Sequence, residues 1–206
     1  MDDPHKISTE AELRAVIGAK VDAIEAKVLD YIDSAAADFI ASAPFLVLAT
    51  ASANGQIDAS PKGDEPGFVR VQDAHTLVIP DRPGNKLAYG HTNVLENPEV
   101  GVIFSRPATN ETLRVNGTAE LTADPELLSA MTAFGKPAVV AIRITVRECF
   151  FHCGKAFIRS KLWQPDAWPA KDRVSFGRLY ADKSGAGDDV AAAIDASVEA
   201  DYRDNL

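Results

Sequence analysis

The sequence predicts a mainly β fold with flanking helices, rolled into a small barrel, on three observations. Between about Phe45 and Phe151, six or more short segments alternate or run apolar in the manner of strands, bounded by turn residues. Short connections make successive strands antiparallel, and helical segments interrupt them only singly. Strict βα alternation and a G-x-G-x-x-G turn are both missing, which argues against a doubly wound dinucleotide-binding sheet.

Each element has its own signal. Thr9 and Glu12 stand at capping-box spacing, so a helix starts there. Leu13, Ile17, Val21, Ile24, Val28, Ile32, Ala35 and Phe39 keep close to helical period, and Gly18 is placed to divide them into a short and a longer helix. Pro44 cannot continue a helix, and the pattern changes there. Residues 45–50 form an apolar run, and Asn54-Gly55 is a hairpin turn signal. In residues 57–62, Asp58, Ser60 and Lys62 point one way and Ile57, Ala59 and Pro61 the other. Pro66-Gly67 turns the chain into strands at 68–71 and 76–80, and 85–96 reads as a helix ended before Pro98. Residues 100–105 and 111–122 are strands, Asp124-Pro125 opens a short helix, and 139–151 is a long β-branched strand. Beyond Trp168 the chain turns polar and Gly-rich, then closes in an acidic, Ala-rich helix over 188–204. The expected organisation is a helical leader (1–43), a barrel domain (44–168) and a polar, helical tail (169–206).

The 206 residues, 46% hydrophobic, suffice for one full core. A formal net charge of -9 argues against a nucleic-acid backbone as partner, which needs a broad basic face. The longest apolar runs are too short for a membrane helix, and the acidic start lacks a secretory pattern, so the expected location is the cytoplasm. Cys149 and Cys153 make neither a disulfide framework nor a zinc set, and His5, His75, His91 and His152 are scattered without ligand spacing, so no metal is expected.

Against that acidic background, cations gather at two strand-to-turn junctions. Ser60-Pro61-Lys62-Gly63-Asp64 offers a hydroxyl, an ammonium and a glycine backbone. Ile79-Pro80-Asp81-Arg82-Pro83-Gly84-Asn85-Lys86 adds a guanidinium fork and a second ammonium where a helix is about to begin. Such groups suit a phosphate monoester, with free backbone N–H groups at the helix start. The alternative is a polar turn capped by Asn85. Thr112, Arg114, Asn116 and Thr118 share one strand face, and Arg114 would meet Lys62 on one ligand if their strands paired; a solvated outer face is the competing reading. In His152-Cys153-Gly154-Lys155-Ala156-Phe157-Ile158-Arg159-Ser160, Lys155 and Arg159 share a helical face, and Cys153 reads as a buried thiol behind a strand end.

Taken in order, these segments resemble the pyridoxamine 5′-phosphate oxidase-related flavoproteins, from about Pro44 to Trp163. The Pro-Gly-Asn turn at 83–85 and the His-Cys-x-Lys-Ala ending at 152–156 are similar to a bacterial FMN-binding subgroup. The resemblance implies a split β-barrel of the FMN-binding type and a homodimer that completes each flavin pocket from two chains. It implies that Ser60, Lys62 and Gly63 lie along the ring and ribityl chain, that Ile79 and Pro80 give backbone contacts, and that Arg82, Asn85 and Lys86 hold the FMN phosphate. Thr112 and Arg114 would lie near the ring-contacting strand, and His152, Lys155, Arg159 and Ser160 would come from the second subunit. The Arg-x-His substrate grip of the vitamin B6 oxidase is absent, so that activity is not expected. The implied function is an FMN-dependent oxidoreductase acting on a small-molecule substrate or electron donor. The alternatives are an FMN-binding carrier or redox sensor without turnover and a deazaflavin-dependent reductase.

Overall fold

Alternating β-branched and aromatic residues build seven strands in the computed structural model, which describes residue 3 and residues 5–204. These are β1 Phe45–Ala51, β2 Ile57–Gly63, β3 Arg70–Asp73, β4 Thr76–Asp81, β5 Glu99–Ser105, β6 Thr112–Thr122 and β7 Val140–His152. All pair antiparallel in one sheet, in the order β2-β1-β5-β6-β7-β4-β3. The inner face carries Leu46, Leu48, Val102, Phe104, Leu113, Val115, Ile142 and Ile144, all nearly or fully buried. Side chains of β2 and β4 meet across the interior although the two strands share no ladder, so the sheet is rolled into a barrel left open along that line. The mainly β, split-barrel expectation holds.

Helices fill the connections. Three of them, α1 Glu10–Ile17, α2 Asp22–Glu25 and α3 Ser34–Ser42, precede the sheet. The capping box forms: Thr9 accepts from the Glu12 N–H, and the Glu12 carboxylate accepts from the Thr9 N–H. The expected long helix after Gly18 does not form. Gly18, at φ 88°, ends α1, and Leu29 bridges to Cys149 as an extended residue. Asp33 then caps α3, accepting from the Ala36 N–H. Only the last part of the apolar run is used in the core, as Ile32, Phe39 and Ile40, while Leu13, Ile17, Val21 and Ile24 are exposed. Phe39 packs edge-on to Phe151 and lies under the Arg106 guanidinium.

Between β4 and β5 runs α4 Tyr89–Glu96, packed on β1 through a buried bond from Asn93 Nδ2 to Thr50 Oγ1 (3.0 Å). The α5 helix Pro125–Ser129 is capped by Asp124 and covers a second, smaller core of Val78, Leu128, Met131, Ala138 and Ala141. After β7 come α6 Lys155–Ser160, α7 Phe176–Ser184 and α8 Asp188–Asp204. The expected helix over 188–204 forms at full length. The α7 helix was not expected, because its polar, Gly-terminated stretch resembles a loop. Ser175 caps α7, and Asp195 of α8 accepts from the Ser175 hydroxyl and the Gly177 N–H, tying the two helices into a hairpin.

Two features of the barrel generate tests. The β6–β7 ladder slips by one residue between Asn116 and Gly117, and a Cβ built on Gly117 would overlap the Thr145 carbonyl oxygen. The close approach at Gly117 is therefore made by the neighbouring strand. Gly117→Ala should lower unfolding stability by about 1–3 kcal/mol, read from the urea midpoint at constant m. Cys149 is the buried thiol, pushed up to about 11 by burial, with the Asp33 charge adding to it. Cys153 is exposed, contrary to the sequence reading, because β7 has ended before it. A thiol reagent such as Ellman's should titrate one cysteine in the folded protein and two in guanidinium, and Cys153→Ser should abolish the native-state reaction.

Candidate functional site

The polar positions of β2 face the barrel interior. Register pairs Asp58, Ser60 and Lys62 with Thr50, Leu48 and Leu46, so all six share the inner face. The expected alternation in β2 is thus present, and Pro61 sits where proline is tolerated, on an edge strand bonded on one side only. Opposite, β3 stops pairing at Val78, which leaves residues 79–81 of β4 bonded to β7 alone. Between these two edges lies a cleft of about 920 Å³, walled by β2, the end of β4, the turn at 82–88 and the first turn of α4. That volume is of the size that holds small-molecule ligands.

Ion pairs span the cleft. Asp81 Oδ1 accepts from the Lys62 ammonium. Asp64, with only 4% of its side chain exposed, receives Arg82 through Nε at 2.8 Å and Nη2 at 2.7 Å, while Arg82 Nη1 donates to the Met131 carbonyl at 2.7 Å. The junctions do hold the expected cations, but two of the three are matched by carboxylates. Against Lys62, Arg82 and Lys86 stand Asp58, Asp64 and Asp81, a formal balance of three and three. Lys86 is exposed, and no ion pair to it is formed among the described residues.

The turn itself differs from expectation. The helix begins at Tyr89 and not at Asn85. Lys86 and Ala88 take left-handed backbone conformations (φ 60° and 52°), which no helix can include, and Asn85 Oδ1 accepts from the Leu87 N–H. The first intrahelical bond runs from the Thr92 N–H to the Ala88 carbonyl. The preceding N–H groups of Tyr89, Gly90 and His91 are the free ends of a helix that lines the cleft. Gly90 packs close to β2: a Cβ there would press on Asp58 Oδ2 at 3.3 Å and meet Ser60 Oγ and Thr50 Oγ1 at ordinary contact distance.

The sequence-derived residues fall into two groups. Ser60, Lys62, Gly63, Pro80, Arg82, Asn85 and Lys86 line the cleft. Ile79 does not line it: the residue is wholly buried in the core, next in sequence to the cleft-lining Pro80. Thr112, Arg114, His152, Lys155, Arg159 and Ser160 lie elsewhere. Thr112 pairs with His152 at the far end of β7, whereas Asp81 pairs with Val140 at its start. At ~3.3 Å per residue, about 40 Å of strand separates the two pairs. Thr112 is buried, Arg114 stacks over Phe150 at 5.4 Å, and the Ser160 hydroxyl donates to the Phe157 carbonyl. His152, Lys155 and Arg159 are exposed. The expected convergence of Lys62 and Arg114 does not occur. Their strands are separated by β1 and β5, and register puts Arg114 level with Ile103, Val47 and Pro61 on the outer face.

Sequence reasoning missed His91, Asp64 and Asp81. His91 Nε2 lies 3.3 Å from Asp81 Oδ2, within reach of its charge though not aligned as a hydrogen bond. Only its place in the first turn of a cleft-lining helix marks it, and that place is invisible until β4 and α4 are set together. Burial pulls the Asp81 carboxyl upward, but His91 and then Lys62 outweigh it and hold the group below its ordinary range. A carboxyl depressed in the folded state stabilises the fold fully above the ordinary Asp range, and that contribution is lost as pH falls through the folded value. Acid titration of thermal stability should therefore show a decline below the ordinary carboxylate range that is shallower in Asp81→Asn.

The family model described as pyridoxamine 5′-phosphate oxidase matches residues 32–153. No curated protein matches the chain. Among solved structures, a single-residue variant of HupZ from Group A Streptococcus is 22% identical, with a TM-score of 0.47 over 59% of this chain and 99% of that one. General stress protein 26 from Bacillus anthracis is 17% identical, with a TM-score of 0.43 over 56% and 88%. The heme storage protein HutZ from Vibrio cholerae is 16% identical, with a TM-score of 0.42 over 59% and 94%. The family match takes in α3 and all seven strands, including both walls of the cleft, and this chain belongs to the pyridoxamine 5′-phosphate oxidase family.

Proposed function

We propose that the protein binds FMN in the cleft between β2 and β4 and works as a flavin-dependent oxidoreductase. The observation that carries this reading is an unmatched cation beside a helix start at the cleft's turn. The Lys86 ammonium has no acid partner among the described residues, and the free N–H groups at the start of α4 open beside it. Asn85 belongs to the same turn, and Arg82, held by Asp64 and Met131, can add a remaining N–H from a fixed position. Ser60, Lys62 and Gly63 then run along the ribityl chain and ring, and the open edge of β4 at Ile79 and Pro80 offers backbone contacts. The donor set fits a phosphate monoester joined to a polar chain and a flat ring.

Bound flavin would supply the electron or hydride transfer that no side chain here supplies. The chain's own residues orient it and exclude water. Thr112, Arg114, His152, Lys155, Arg159 and Ser160 cannot join that cleft within one chain. We assign them to the pocket of a second copy, in a homodimer where each end of β7 serves a different site.

A yellow colour with flavin absorption in the freshly purified protein, or quenching of added FMN fluorescence, supports the reading; a colourless protein that leaves FMN unquenched defeats it. Lys86→Ala is the cleaner phosphate test, since Arg82→Ala would also strand the buried Asp64 carboxylate. At about 1.5–3 kcal/mol for a charged hydrogen bond, Lys86→Ala should weaken FMN binding by roughly 10- to 150-fold and riboflavin binding hardly at all. Equal losses for both ligands would put the phosphate elsewhere. Anaerobic reduction by NADH or NADPH, followed by reoxidation, separates an enzyme from a carrier, and mass spectrometry of the released ligand separates FMN from a deazaflavin.

A further inference from the structure

His91 stands in the first turn of α4, its ring part of the cleft wall. Its Nε2 is sealed from solvent and faces Asp81 Oδ2 at 3.3 Å, so the 19% of the side chain that is exposed belongs to its other atoms. Asp81 is held from its other oxygen by Lys62, so the carboxylate is fixed in both position and charge. With the Asp81 carboxylate as the nearest charge to Nε2, a neutral ring gains most by carrying its proton there, which makes Nδ1 the acceptor.

The surroundings favour a ligand-facing role over a purely structural one. Asp58 and Lys62 face the ring region from β2 and Asp81 from β4; the adjoining turn adds the Arg82–Asp64 pair and Lys86, and α4 itself adds Tyr89. Lys62 and Arg82 are already committed to carboxylates. His91 is the one side chain of this set with both a donor and an acceptor nitrogen when neutral. Ser60 lies against the same turn of helix, on the other side of Gly90.

We propose that His91 is the acid–base group of this cleft, taking a proton at Nδ1 from a protic ligand and returning it, with Asp81 fixing the ring and balancing the imidazolium charge. In the forward step an N–H bond forms at Nδ1 as an O–H or N–H bond of the ligand breaks, and the bonding pair stays on the ligand. No electrons leave either partner, so the step needs no further reactant. The ligands it suits bear a hydroxyl or amine beside the reacting carbon. The proposal rests on the reading of this cleft as the ligand site.

Long-range proton–nitrogen correlation spectra of the imidazole rings in the full chain test it, first with no cofactor added. The expected result is His91 in the Nε2–H form when neutral. That preference should be lost in Asp81→Asn and kept in Lys62→Met, where the carboxylate remains. Addition of FMN should then shift the His91 Nδ1 resonance and leave those of His5 and His75 in place. A dominant Nδ1–H form in the unsubstituted protein overturns the proposal without any variant having to fold. So does an Asp81→Asn spectrum identical to the parent, or an Nδ1 resonance unmoved by FMN that demonstrably binds. If FMN fails to bind, the cofactor reading falls, and the tautomer measurement still decides the His91–Asp81 pair by itself.

Discussion

The rest of the site depends on the two ion pairs that cross from β2 to β4. An inner face lined by Asp58, Ser60 and Lys62 cannot be closed with apolar packing, because the charges would be buried without partners. The strands therefore stay apart, and Lys62–Asp81 and Arg82–Asp64 span the gap. Side chains are longer than a backbone hydrogen bond, so the seam is held open as a cleft where a ladder would have sealed it. Pairs this buried are poor sources of stability, since desolvation offsets their attraction; removing one partner is what costs about 3–5 kcal/mol. Their work is positional. They set the distance between β2 and β4, and with it the width of the space that α4 caps.

That arrangement bears on how the cleft would draw the proposed anion. The chain carries a net charge of -9, and the formal charges of the cleft balance, so no long-range field draws an anion inward. Attraction is local: the Lys86 ammonium, unpaired among the described residues, and the free N–H groups of a helix start. Local donors of this sort select by geometry more than by charge. They suit a small phosphate held at one end of a longer ligand, and they suit poorly a polyanion that needs a broad basic surface.

Strand patterns were legible in the sequence wherever one face is buried and the other wet. Residues 57–62 and 113–119 alternate with period 2 as read, although the inner face of β2 is its polar one and Thr112 is buried. Caps were legible too, at Thr9 and Asp124, because a cap depends on neighbours three or four positions away. What escaped was long-range. Asp64 and Asp81 meet their cations 18 and 19 residues away in sequence, and nothing local marks a carboxylate as a partner and not a solvated charge. The start of α4 escaped because two non-glycine residues adopt left-handed backbone in a turn whose composition also suits a helix. The leader's helical period misled because periodicity records amphipathic spacing, whereas Leu29 is taken out of the helix by pairing with Cys149.

Register sets the last constraint. In the β4–β7–β6 ladder the cleft stands over Asp81, Val140 and Thr122, and the second group of chemistry-bearing residues stands over Thr112 and His152. Moving one group toward the other within a chain would require sliding a strand by many residues, and a slip of even one turns its buried face outward. The β6–β7 pairing is also pinned by Gly117, which tolerates the bulge only at that position. The two groups are thus fixed at opposite ends of a rigid sheet. Any single ligand that touches both must be shared between two chains.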